Sequence, residues 1–258
     1  MSSSGSLVKY RLDQLKGMKD AMFGKCDDCA SGMVCHCEME FAEQMRYLKH
    51  GVPLKSVKHH IKYGGALEER TALEYDPVEE EFSKPFDFVE EKLEPAIDRL
   101  GKYIHSGYNM LLYGFNGSGK TFAANSMLCH ALQDGYTGYY IFFRELYNLY
   151  NTVEFKEHEP FQKETLDYVI NCSYLVIDEL GKEKISEPMI AFLEYAIKTR
   201  LEANLCTTVV TNLNLRDKGN PIKTRYGNSV WDCFRQYFIF QLSKSGDFRA
   251  KTRPKWQL

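Results

Sequence analysis

Residues 113–122 read Tyr-Gly-Phe-Asn-Gly-Ser-Gly-Lys-Thr-Phe, so that Gly114 is followed after four residues by Gly119, Lys120 and Thr121. This spacing suits a polyphosphate. Glycines let the backbone curl until successive N–H groups aim at one anion, and the positive end of the following helix dipole adds to the attraction. Gly114, Asn116, Gly117, Ser118 and Gly119 form the curl. Lys120 is placed to reach the β- and γ-phosphates, and the Thr121 hydroxyl to ligate magnesium. A glycine-rich turn that binds nothing would not require a buried strand before it and an apolar-striped helix after it, and both are present.

A second group of polar residues closes the run Tyr-Leu-Val-Ile-Asp-Glu-Leu-Gly at 174–181. Four apolar residues bury a strand and push Asp178 and Glu179 out at its carboxyl end, where open α/β sheets bind their ligands. Asp178 is suited to the magnesium shell, and Glu179 to orienting and deprotonating a water. An acidic pair facing phosphates repels them unless a cation lies between. Asn212, at the exit of Thr-Thr-Val-Val-Thr-Asn (207–212), could bond between the γ-phosphate and that water, although asparagine also ends strands for turn reasons. These are the parts of an ATP hydrolase. A small-molecule phosphotransferase is the alternative, but its acceptor pocket and lid would need an insertion that the short connections do not supply.

Cys26, Cys29, Cys35 and Cys37 lie within twelve residues. Four thiolates suffice for a closed tetrahedral zinc site. The second pair is tight, so His36 could replace one thiolate; iron–sulfur ligation and a free-thiol cluster are the other readings. A closed site folds a segment too small to fold alone and so builds a surface. The remaining cysteines, at 129, 172, 206 and 233, sit among apolar neighbours and read as buried thiols.

The elements that must position these residues follow from hydrophobic pattern. Residues 109–113, 138–143, 173–178, 206–211 and 237–242 are short, apolar and β-branched or aromatic, with helical patterns near 119–133, 144–152, 161–170 and 186–204. This alternation specifies an α/β fold, a five-stranded parallel sheet with helices on both faces. Ahead of it, helical spacing marks 7–23 and 38–50, the latter stopped by Gly51 and Pro53. An acidic stretch follows and runs into a helix near 86–104. The expected division is a zinc-binding region at 1–60, a linker at 61–85 and an ATPase domain at 86–258. A net charge of -2 leaves any nucleic-acid surface local. No apolar run approaches the roughly 18 residues of a membrane span, and no secretory signal pattern opens the sequence, so a cytosolic protein is expected.

Beyond these readings, the chain resembles the DnaC/DnaI-type replicative helicase loaders, especially those of phages and prophages, which are AAA+ ATPases. The resemblance covers most of the chain. Its carriers are the C-x2-C and C-x-C pairs before a helix, the Gly-Val-Pro turn at 51–53, the order of motifs from 174 to 214, and the run from Thr224 to Pro254. It implies an AAA+ P-loop fold with a small N-terminal zinc-binding helical domain that docks on a hexameric DnaB-type helicase. It also implies subunits that assemble with ATP into a ring or spiral and grip single-stranded DNA. In that family an arginine reaches the neighbouring subunit's γ-phosphate. Here Cys233 stands where it is often found, which leaves Arg225 and Arg235 as candidates. Arg249 matches the family's C-terminal nucleotide sensor. A trans arginine agrees with head-to-tail assembly, in which ATP joins the subunits.

The basic tail after Ser243, with Trp256, has the composition to track a phosphate backbone, or else is a solvated end or nucleotide sensor. The main alternative is a transposition helper ATPase of the related IstB type, which generally lacks a cysteine module.

Overall fold

The computed structural model describes residues 42, 44–53, 56–57, 104–156, 159–215 and 220–242. Five strands form one parallel sheet: β1 (Met110–Tyr113), β2 (Gly138–Phe142), β3 (Tyr174–Leu180), β4 (Cys206–Thr211) and β5 (Phe238–Gln241). Their order across the sheet is β2-β3-β4-β1-β5, and every pairing is parallel. Between them run α1 (Lys120–Gln133), α2 (Phe143–Phe155), α3 (Pro160–Asn171), α4 (Glu187–Glu202) and α5 (Pro221–Phe234). The α/β alternation expected from the pattern is present, strand by strand.

Period-two alternation divides the strand side chains between two cores. Leu111, Ile141, Leu175, Ile177 and Val209 face a cluster built with α2 to α5. Met110, Leu112, Tyr140, Tyr174, Val176 and Val210 face the other, built with α1. Both faces are covered, so the strands read as near-continuous apolar runs rather than alternating ones.

Residues 44–53 and 56–57 reach the second core. Tyr47, Leu48, Val52 and Val57 are buried in it, and Gln133 Nε2 donates to the Tyr47 hydroxyl at 2.8 Å. The backbone docks as well, with Tyr140 N donating to His50 O at 2.9 Å. Gly51 lies here at φ 85°, and a Cβ on it would stand 2.1 Å from Tyr140 O. A side chain does not fit there, which is why glycine ends the preceding helix. The region expected at 1–60 thus has its last part in contact with the ATPase core. The helices expected over 7–23 and 86–104 fall outside the described residues, apart from residue 104.

Two differences from expectation have physical causes. β3 runs on to Leu180 instead of ending at 178, and Asp178 is buried rather than pushed out, at 3% exposure. Helix α5 is not marked by a continuous apolar stripe, because Gly227 sits inside it at φ 90°, ψ 173°. That kink separates Ile222 and Tyr226 from Val230, Cys233 and Phe234, so the helical spacing is broken where it would have been read.

Beneath the sheet, Arg200 is fully buried. It donates to the carbonyls of Ile170, Cys172 and Cys206 at 2.6–2.9 Å and to Thr207 Oγ1 at 2.8 Å. A buried guanidinium held by oxygen acceptors ties α4 to the start of β4 and the end of α3.

Candidate nucleotide site

The loop between β1 and α1 curls as its glycines allow. Gly114 sits at φ 149°, where a Cβ would meet Leu242 O at 2.2 Å, and the turn is closed by Ser118 N donating to Phe115 O at 3.3 Å. Lys120 opens α1 and is buried at 5% exposure. Its ammonium donates to Gly114 O at 2.8 Å, to Phe115 O at 2.7 Å and to Ser118 Oγ at 3.4 Å. The loop's own oxygens hold a desolvated cation where an anion's oxygens can replace them.

Asp178 comes to the same place from β3. Its Oδ2 accepts from Thr121 Oγ1 at 2.8 Å and from the Tyr140 hydroxyl at 2.7 Å, and its Oδ1 accepts from Glu179 N at 2.6 Å. A buried carboxylate with three short donors is compensated without a lysine or arginine in those bonds. Burial first, then the Asp178 charge, push the Tyr140 phenol well above its ordinary pKa, so Tyr140 stays a donor. The sequence marks Tyr140 only as one residue of the strand at 138–143; its neighbours Gly138, Tyr139 and Ile141 are all buried, and nothing in the pattern singles it out.

Glu179 follows at φ 61°, one of three described non-glycine residues in the left-handed region. Such a conformation costs on the order of 1–3 kcal/mol and persists where surroundings over-determine it. Its backbone opens a turn, Lys182 N to Glu179 O at 3.3 Å. Its carboxylate, 42% exposed, pairs with Lys182 Nζ at 2.5 Å.

Register places Asn212. Thr211, the last residue of β4, is level with Tyr113 of β1 and Leu180 of β3, and its hydroxyl donates to Leu180 O at 2.7 Å. Asn212 is the next residue, between the phosphate loop and the Asp178–Glu179 step. The structure therefore brings together the loop, Lys120, Thr121, Asp178, Glu179 and the Asn212 position at the carboxyl edge of the sheet.

The arginine candidates fall elsewhere. Arg225, in α5, donates from its Nη2 to Glu183 O, with its Nε 3.8 Å from Glu183 Oε1. Arg235, just past α5, is 68% exposed and 3.6 Å from the equally exposed Asp232. Cys233 is buried, and burial raises its pKa; a thiol there packs the core. Arg249 and the four N-terminal cysteines, with His36, lie outside the described residues. Among the described residues no group of His, Cys, Asp and Glu has the makings of a metal cluster. Cys129, Cys172 and Cys206 are buried thiols, as expected. Among the described residues, no helix is long and apolar enough to cross a membrane.

Among solved structures, the chain is similar to the DnaC helicase loader, with 22% identity, 58% of this chain and 89% of that chain covered, and a TM-score of 0.47. It is similar to DnaI at 16% identity over 60% of this chain and 82% of that one, with a TM-score of 0.45. It is also similar to domain III of the replication initiation protein DnaA from Thermotoga maritima, at 17% identity over 60% and 62%, with a TM-score of 0.45. No curated protein matches this chain. The family model for IstB-like ATP binding protein matches residues 83–220, just over half of the sequence, and spans the loop, Lys120, Thr121, Asp178, Glu179 and Asn212. The chain belongs to this family of ATP-binding proteins and is an AAA+ ATPase.

Proposed function

We propose that the protein is a loader that uses ATP to bind a hexameric DnaB-type helicase and place it on single-stranded DNA. The observation that carries the assembly part is the division of labour between the two arginines. Arg225 is engaged with Glu183 of its own chain, whereas Arg235 stands on the outer surface. A nucleotide site that takes its last cation from a neighbour makes ATP occupancy and head-to-tail association one event. The loader part rests on the cysteine module at Cys26, Cys29, Cys35 and Cys37 and the motif order that follows it. In this reading the module holds zinc and forms the helicase-docking face.

In hydrolysis, Lys120 exchanges its loop carbonyls for the β- and γ-phosphate oxygens, and the backbone N–H groups of 116–121 hold the rest of the polyphosphate. The hydroxyl–carboxylate pair of Thr121 and Asp178 fits magnesium, which when bound neutralises phosphate charge. Glu179 orients a water and takes its proton, Asn212 bridges that water and the γ-phosphate, and Arg235 of a neighbouring copy stabilises the departing charge. Arg249 serves as a second nucleotide sensor.

A transposition helper of the IstB type is the second reading, favoured by the family model. The two are separated by size-exclusion chromatography with light scattering on mixtures with a DnaB-type hexamer, with and without ATP. Co-elution with the helicase is expected. Failure to retain it, with ATP-dependent retention of a transposase instead, would replace the first reading by the second.

A further inference from the structure

Glu183 is a buried carboxylate that the hydrolytic scheme does not use. Its residue exposure is 5% and its side-chain exposure 2%. One oxygen, Oε2, accepts from Gly181 N at 3.0 Å. The other accepts from the hydroxyl of Tyr226, itself only 2% exposed, and lies 3.8 Å from Arg225 Nε. The Glu183 carbonyl also accepts from Arg225. A charge withdrawn from water this far is retained only where its bonds compensate it, and removing any partner leaves a costly remainder.

The positions of those partners matter more than their number. Gly181 lies within the 179–182 turn, two residues after Glu179, whose backbone is held at φ 61°. Tyr226 and Arg225 belong to α5, immediately before the Gly227 kink. One side chain thus fastens the turn that carries the candidate base to the helix that leads to Arg235. A catalytic carboxylate displaced by about 1 Å can lose about 100-fold in rate, so a strut that sets this turn sets the rate.

We propose that Glu183 is a positioning residue: it holds the Glu179 turn through Gly181 and links that turn to α5 through Tyr226 and Arg225. A neighbouring copy that engages α5 then acts on the base through this link. The inference rests on the reading of Glu179 as the base.

The test uses the full chain with Glu183→Ala, Glu183→Gln, Tyr226→Phe and Glu179→Gln, measuring kcat and KM for ATP and the affinity for a fluorescent ATP analogue. Glu183→Ala is expected to lower kcat about 10- to 100-fold with KM and analogue affinity within about twofold of wild type. Glu183→Gln retains an acceptor toward Gly181 N and offers an amide to Tyr226, whose hydroxyl can turn to accept, so most of kcat should return. Should the alanine variant fail to fold, Tyr226→Phe, which removes one hydrogen bond, is expected to lower kcat several-fold. Wild-type kcat in Glu183→Ala, or in Tyr226→Phe where the alanine variant does not fold, overturns the strut, as does a parallel loss of kcat and analogue affinity. A glutamine variant no better than alanine also overturns it, since charge rather than turn geometry would then be at work. If Glu179→Gln hydrolyses ATP at the wild-type rate, the base assignment fails whatever Glu183 does. If Glu179→Gln is inactive and Glu183→Ala is not impaired, only the strut fails.

Discussion

Thr121 and Asp178, separated by 57 positions in the chain, share one hydrogen bond of 2.8 Å from the threonine hydroxyl to the carboxylate. The helix that follows β1 and the end of β3, two strands with β4 between them, therefore address a single point. A hydroxyl and a carboxylate at that separation are hard oxygen donors of the kind magnesium takes beside phosphates. Asp178→Asn is expected to raise the magnesium concentration for half-maximal hydrolysis by about tenfold or more, the scale of one charged contact. Chelation with EDTA should stop turnover in wild type. A titration of ATPase rate against magnesium checks both.

Lys120→Ala removes the buried ammonium that Gly114 and Phe115 now cradle. Nucleotide binding should fall by about 100-fold or more, since a charge-assisted contact to phosphate is lost. Equilibrium binding of a fluorescent ATP analogue measures it, and unchanged affinity would remove the phosphate-loop assignment.

Glu179→Gln keeps the side chain's size but cannot take a proton. ATP affinity should be retained while hydrolysis drops by about 100-fold or more, and the ATP-bound assembly should persist on a sizing column. Turnover at the wild-type rate is the result that refutes the role.

The two arginines should part company. Arg235→Ala is expected to lower hydrolysis in the assembled state by about 1,000-fold, with stability changed by less than about 0.5 kcal/mol because the side chain is exposed. Arg225→Ala should instead cost about 1–3 kcal/mol of stability by depriving Glu183 of bonds. Denaturant melts and ATPase rates on both variants distinguish the roles, and the reverse pattern would reassign them.

His50 predicts an acid-sensitive contact between residues 44–53 and the sheet. Its Nδ1 lies 3.0 Å from Gly138 O. Burial first, then neighbouring Lys49, lower its pKa from 6.5 to about 4, with the Gly138 carbonyl opposing. The folded state therefore binds this proton less readily than the unfolded state. Its contribution is unaffected above pH 6.5, and stability falls as pH drops from about 6.5 to about 4. Discounted for the water that still reaches the ring, the loss is roughly 1–2 kcal/mol. Urea midpoints at pH 7, 5.5 and 4.5 should decline in wild type and flatten in His50→Gln.

Local physics made the chemistry readable without coordinates. A phosphate loop is contiguous because one turn of backbone must surround one anion, so Gly114 to Thr121 are written in a row. Asp178 and Glu179 were visible because four apolar residues precede them, and Asn212 because a polar pair ends an apolar strand. Strands β1 to β4 were legible for the same reason, being buried on both faces, and the edge strand β5, though partly exposed, by its aromatic and β-branched run. Long-range pairing is what those local patterns do not encode. The Tyr140 hydroxyl on Asp178, the docking of Tyr47 and His50 against β2 and α1, and the bond that the Tyr226 hydroxyl donates to Glu183 depend on which elements the fold brings side by side. Cys233 and Arg225 show the same limit: sequence placed both near a family motif, and only packing assigned one to the core and the other to Glu183. A residue's type and spacing state what it can do, while its partners, arriving from dozens of positions away, decide what it does.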